Sequence, residues 1–138
     1  MIIGIGVDLV DSRRIERLLT RFGQQFTEKI FTPKERSYAD NSPHPLRAYA
    51  NRFAAKEAAA KALGTGIREG IGWHDIEVLR ADSGAPSLSF HRKAHEKFLS
   101  LIPPGYEGIS HVSFSDEPPY STAFVVLSAM RERIVVIS

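Results

Sequence analysis

The sequence predicts an α+β fold in which a mainly antiparallel sheet packs against one long central helix. Three observations carry this. Helical signals crowd the first half of the chain and strand signals the second, an order that argues against a doubly wound parallel sheet. The segment NRFAAKEAAAKALGTG, residues 51–66, is alanine-rich enough for neighbouring elements to approach it closely, as a buried helix requires. The chain of 138 residues, 43% hydrophobic and 25% charged, suits one core without disulfide or metal staples. The expected organisation is a single domain over residues 1–130 and a C-terminal tail over 131–138.

Residues 2–10 alternate as a strand does. Ile3, Ile5, Val7 and Leu9 point one way, and Gly4, Gly6 and Asp8 share the other face with Ile2 and Val10. Asp11 or Ser12 can cap a following helix, whose apolar stripe is Ile15, Leu18, Leu19 and Phe22 and whose stop is Gly23. FTPKERSYA opens another helix, with Thr32 as N-cap, Pro33 at the first helical position and Glu35 at the third, a capping-box pattern. NSPHP breaks the chain at residues 41–45, and the long helix then runs over 46–63 until the glycines of GTGIREGIG. Residues 74–80 and 87–90 read as a hairpin across ADSGAP, with Gly84 free to take a positive φ. HRKAHEKFLSLI supplies a short amphipathic helix, and HVSFSD and YSTAFVVLSA two more strands joined across EPP. Trp73 is expected in the core. RERIVVIS reads as an edge strand or a loose end.

Composition excludes several classes. There is no cysteine, so disulfides, thiolate metal sites and thiol nucleophiles are absent. No apolar run approaches the roughly 18 residues of a membrane span. The opening MIIGIGVDLVD is acidic and lacks a basic leader, so a cytoplasmic location is expected. The pI of 9.0 accompanies a formal charge of only +2, so any basic surface is local. That patch is Arg13, Arg14, Arg17 and Arg21, which stand opposite the apolar stripe of the first helix. It is either a solvated face or a surface for an acidic partner. Nucleic acid would call for interleaved aromatics and a recognisable module, and the sequence has neither.

At about 100° per residue, Glu57 and Lys61 fall on the same side of the central helix as Ala50, Phe53 and Ala54, while Arg52, Lys56 and Ala59 project elsewhere. Such an i,i+4 pair is commonly a surface support of about 0.2–0.5 kcal/mol. On a closely packed helix it instead needs partners. Asp8 and Glu57 together would make an oxygen-ligand site for a hard cation such as Mg²⁺, with Lys61 placed to meet phosphate oxygens. Gly4 and Gly6 clear the face beside Asp8 for either a ligand or another backbone. Gly64 reads as a helix C-cap, and Thr65 and Gly66 can also bring a hydroxyl and a backbone NH to a phosphate. His91 and His95 have helical spacing without the acid of a zinc motif, and no GxSxG elbow supports serine nucleophile chemistry.

These residues resemble the bacterial holo-acyl-carrier-protein synthases, a family of 4′-phosphopantetheinyl transferases. The likeness covers IIGIGVDLVDSRRIERLL, FTPKERSYA, RFAAKEAAAKALGTGI, the GAP turn and HVSFSDEPPYSTAFVVL, nearly the whole chain. It implies the fold of that family and transfer of 4′-phosphopantetheine from coenzyme A to a serine of apo acyl carrier protein, in fatty acid biosynthesis. It also implies adenosine 3′,5′-bisphosphate as the other product and a requirement for Mg²⁺. By position it implies Asp8 and Glu57 as metal ligands and Lys61 as the phosphate contact, all three catalytic. It sets Gly64, Thr65, Gly66 and Pro86 near coenzyme A, and Arg13, Arg14, Arg17 and Arg21 against the carrier protein. It further implies a homotrimer with active sites between subunits. Many relatives read SxSH where this chain reads Ser113-Phe114-Ser115-Asp116, so Asp116 stands in place of a histidine and is expected to reach the metal through water. The competing reading is a non-enzymatic module that binds an acidic protein or nucleic acid through the arginine helix.

Overall fold

The computed structural model describes residues 1–68 and 70–133. Its elements are β1 (Ile2–Asp11), α1 (Ser12–Phe22), α2 (Gln24–Ile30), α3 (Pro33–Asp40), α4 (Pro45–Ala62), β2 (Ile76–Arg80), β3 (Pro86–Phe90), α5 (Arg92–Ser100), β4 (Tyr106–Glu117) and β5 (Tyr120–Arg131). The sheet order is β1-β5-β4, all antiparallel, and β2 and β3 form a separate antiparallel hairpin. Residues 134–138 of the tail lie outside the described residues.

Local chemistry explains where chain segments begin and end. Asp11 caps α1 by accepting from the Arg13 N–H, and Thr32 and Glu35 close the expected capping box on α3. The sequence expectation lacks α2. Gly23, at φ 54°, ends α1 and at once restarts the chain, and seven residues are too few to show a clear helical period. Trp73–Asp75 form a 3-10 turn, held by Asp75 Oδ2 accepting from the Gly72 N–H, so β2 begins later than expected.

Helix α4 lies across the three-stranded sheet. A Cβ on Gly4 would strike the Ala62 carbonyl, and one on Gly6 the Ala58 carbonyl, so the cleared face of β1 admits a helix backbone. Ala54, Ala55, Ala58, Ala59 and Ala60 are completely buried. The far side of α4 is covered as well, by α3 and β2. This double burial defeats the helical-wheel expectation. Arg52 and Lys56, expected to project away from the packed side, are 2% and 0% exposed, whereas the Lys61 side chain is 52% exposed. Phe22 leaves the expected apolar stripe for the surface, and Trp73 is half-buried, stacked on Phe53 at 5.2 Å.

Lys56 spends all three ammonium donors inside the protein, on the carbonyls of Trp73 and Ile76 and on Glu35 Oε1 at 2.7 Å. Glu35 also accepts from the Thr32 and Val78 N–H groups. One satisfied ion pair thereby ties α3, α4 and β2 together.

Candidate active site

Packing α4 against the glycines of β1 brings three charged side chains to one place. Lys61 Nζ lies 3.0 Å from Asp8 Oδ1 and donates also to the Val7 carbonyl at 3.0 Å. The Thr122 hydroxyl donates to the Asp8 carbonyl at 2.9 Å, fixing the backbone there. Glu57, one turn before Lys61, is half-buried. Burial pushes its carboxyl above the ordinary value and the negative charge of Asp8 pushes it further, against the opposing pull of Lys61 and Arg14.

This donor set fits a divalent cation. Asp8 keeps one oxygen beyond its bond to Lys61, and Glu57 has no hydrogen-bond partner among the described residues. Asp8 raises the proton affinity of Glu57, and a metal between the two carboxylates would relieve that repulsion. Among the described residues no group of three His, Cys, Asp or Glu could hold a metal. Mg²⁺ commonly takes only one or two carboxylates and fills its shell with water and substrate phosphate, so two ligands suffice.

The other expected site residues spread around this cluster. Gly64 and Gly66 adopt φ of 87° and 67°, with open space where a Cβ would stand, so backbone conformation is what demands glycine at both. Thr65 is buried and its hydroxyl donates to the Gly66 carbonyl. Pro86 pairs with Arg80 at the turn end of the β2–β3 hairpin, on the side of Tyr38 and Arg52. Asp116 is bonded to α4, with Arg47 Nε at 3.2 Å and Asn51 Nδ2 at 3.1 Å, and no bond links it to Asp8 or Glu57 among the described residues.

On α1, Arg13 forks onto Asp11 through Nε and Nη2, which holds the Asp11 carboxyl down to about 2. Arg14 lies over the Phe53 ring at 5.5 Å, Arg21 lies over Phe22 at 5.1 Å, and Arg17 is exposed. Beside them opens a cavity of about 440 Å³ lined by Leu18, Phe22, Phe26, Ile30, Phe53 and Trp73, with Arg14 and Lys29 at its edge. Sequence reasoning misses this groove because Phe22 and Trp73 read as core residues.

Residues 4–111 match the 4′-phosphopantetheinyl transferase superfamily. The holo-acyl-carrier-protein synthase of Methylobacterium sp. (strain 4-46) is 52% identical over 132 residues, 96% of this chain and 98% of the relative. The crystal structure of holo-acyl-carrier-protein synthase from Neisseria meningitidis superposes with a TM-score of 0.80 at 40% identity, over 93% of this chain and 99% of that one. The holo-acyl-carrier-protein synthase from Bacillus anthracis, solved in complex with CoA (3′,5′-ADP), gives 0.73 at 37% identity, over 92% and 96%. With the Asp8–Glu57–Lys61 cluster at the junction of β1 and α4, this chain belongs to the holo-acyl-carrier-protein synthases of the 4′-phosphopantetheinyl transferase superfamily.

Proposed function

We propose that this protein transfers the 4′-phosphopantetheine group of coenzyme A to a serine hydroxyl of apo acyl carrier protein, releasing adenosine 3′,5′-bisphosphate, in fatty acid biosynthesis. The observation that carries this reading is the convergence of Asp8, Glu57 and Lys61 in a chain 52% identical to a holo-acyl-carrier-protein synthase. The serine oxygen forms a bond to the phosphorus that bears the pantetheine arm, and the bond from that phosphorus to the leaving nucleotide phosphate breaks. Asp8 and Glu57 are the residues that would hold Mg²⁺, whose charge neutralises the pyrophosphate oxygens as negative charge shifts to the leaving group. Glu57 is the candidate acceptor of the serine proton, through a water. Lys61 has a half-exposed ammonium group, anchored on Asp8 and the Val7 carbonyl, that reaches phosphate oxygens without large rearrangement. Gly64 and Gly66 give that end of α4 an open approach for the nucleotide.

The carrier protein docks on α1 in this proposal. Arg14, Arg17 and Arg21 supply charge for an acidic surface, and the groove between α1, α2 and Phe53 accepts an apolar side chain from it. Arg13 contributes less, since Asp11 already holds its guanidinium. The same proposal includes a homotrimer with active sites between subunits, supported by the bare apolar outer face of the sheet, where Ile5, Val7, Leu9 and Phe124 lie exposed. It also places the reaction in the cytoplasm. Among the described residues no helix is long and apolar enough to cross a membrane.

The test is incubation with coenzyme A, Mg²⁺ and apo acyl carrier protein, followed by mass spectrometry of the carrier. A phosphopantetheine adduct is expected. Its absence over a range of conditions, with carrier binding retained, would favour the non-enzymatic binding module.

A further inference from the structure

Glu57 and Lys61 meet Asp8 only when α4 is correctly turned on β1, and the contact between these two elements does not set that turn. The Ala62 and Ala58 carbonyls lie over Gly4 and Gly6, so small residues meet across it. Such a contact fixes how closely α4 approaches, but without interlocking side chains it leaves the rotation of the helix free. The chemistry is less tolerant. Side chains reach about 5–6 Å from a helix axis, so a turn of about 10° moves a carboxylate by about 1 Å. A misplacement of about 1 Å can lower a rate about 10²-fold.

Among the described residues, the side chains of α4 that hydrogen-bond or ion-pair with other elements are those of Arg47, Tyr49, Asn51, Lys56 and Lys61. The first three act on the N-terminal half of the helix, and Lys61 belongs to the cluster that has to be placed. Lys56 stands next to Glu57 and is completely buried. Its ammonium donates to the Trp73 carbonyl at 2.8 Å, to the Ile76 carbonyl and to Glu35 Oε1 at 2.7 Å, three directions from one atom. Glu35 is a fixed anchor, because the Thr32 and Val78 N–H groups hold its two oxygens. As a source of stability the pair is a poor choice, since apolar residues of the same volume commonly replace a buried ion pair without loss. Direction is what an apolar residue does not supply. We propose that Lys56 is a positioning residue for the reaction, whose bonds to α3 and to the Trp73 and Ile76 carbonyls fix the rotation of α4 and so place Glu57 and Lys61 against Asp8. The inference rests on the transferase reading and adds to it a residue that touches neither substrate nor cation.

The experiment removes direction without stranding a buried charge. In the full-length protein, Glu35→Gln combined with Lys56→Met takes away both charges, so thermal melts regain most of what Lys56→Met alone loses. Assayed below its melt, the double variant is expected to transfer with kcat lowered about 10- to 100-fold, while KM for the carrier protein is unchanged because α1 is untouched. A second variant, Lys56→Arg, keeps Glu35 neutralised, but its planar fork does not reproduce the three directions of the ammonium, and kcat falls in the same way. A readout apart from turnover is the rise in melting temperature on adding Mg²⁺. Taken from each variant's own metal-free melt, it shrinks in both, because Asp8 and Glu57 are no longer held at the same spacing. Phe98→Leu, a packing loss on α5, serves as the control. Assayed equally far below its melt, it is expected to keep the wild-type kcat and the wild-type response to Mg²⁺. Either Lys56 variant, folded and with wild-type kcat and Mg²⁺ response, overturns the inference, as does an equal loss of both in Phe98→Leu. These results leave the transferase reading standing. Failure of the wild-type protein to transfer at all would instead remove that reading and the inference with it.

Discussion

Glu57 shows why a half-buried carboxylate beside another is a burden on the fold. Its folded proton affinity exceeds the ordinary value of 4.5, through burial first and Asp8 second. Above pH 4.5 and up to the raised folded value, the folded state holds more protons than the unfolded state. Stability therefore declines as pH rises through that window, and the contribution is fully present only below 4.5. Glu57→Gln removes the group that titrates. In denaturant melts the variant is expected to be more stable than wild type at pH 7, with the difference vanishing below pH 4.5. Its transfer rate falls about 10²- to 10⁴-fold, as for loss of a general base. Equal stability at pH 7 would contradict the electrostatic strain assigned to this carboxylate. Mg²⁺ offers a readout independent of turnover. A cation at ten times its Kd stabilises the folded state by about 1.4 kcal/mol, so the melting temperature of wild type rises with added Mg²⁺. Asp8→Asn, with one ligand oxygen neutralised, is expected to lose most of that rise. Were the rise the same in both, Asp8 would not be a ligand.

Among the elements, α4 decides where the chemistry sits, and it is the element whose sequence is most and least legible. Its existence, its extent and its glycine stop follow from the alanines of residues 54–62 and from Gly64. Its orientation does not, because a wheel assumes one wet side and α4 has packing partners on two. Asp8, Glu57 and Lys61 could be picked out because their types and spacing suit phosphate chemistry. Lys56 and Glu35 could not, since nothing local marks a lysine whose partner comes from another helix. The capping box on α3 was readable, while the second use of its glutamate as the counter-ion of Lys56 was visible only in three dimensions. Lys56→Met leaves Glu35 charged in a dry interior and is expected to destabilise by about 3–5 kcal/mol in chemical denaturation. A loss below about 1 kcal/mol would mean that the Thr32 and Val78 N–H groups satisfy that carboxylate unaided. At the opposite contact, Gly6→Ala drives a methyl into the Ala58 carbonyl and must lift α4 from β1. About 3 kcal/mol of overpacking is expected. Because Lys61 then draws away from Asp8, transfer is expected to fall even at temperatures where the variant remains folded. An active variant with unaltered stability would show that α4 does not set this distance.

At the scale of the molecule, the three-stranded sheet has, among the described residues, a helix on one face only. On the other, Val7 stands across from Phe124 and Ile5 across from Val126, flanked by Leu9 at 66% exposure. An antiparallel sheet can face water on one side, but then that side is ordinarily polar. Contiguous apolar surface of this kind marks an interaction site. The alternation of Ile3, Ile5, Val7 and Leu9 is plain in the sequence, yet it reads equally as a core-facing stripe until the glycine side of β1 is seen to hold α4. Leu9→Glu puts a charge in the middle of the apolar face and leaves the α4 side of β1 untouched. Light scattering is expected to give the mass of a trimer for wild type at micromolar concentration and of a single chain for the variant. Transfer by the variant is expected to fall with it if, as proposed, the active sites lie between subunits. A single-chain mass for fully active wild-type protein would show that one chain holds the whole site and that the apolar face serves another partner.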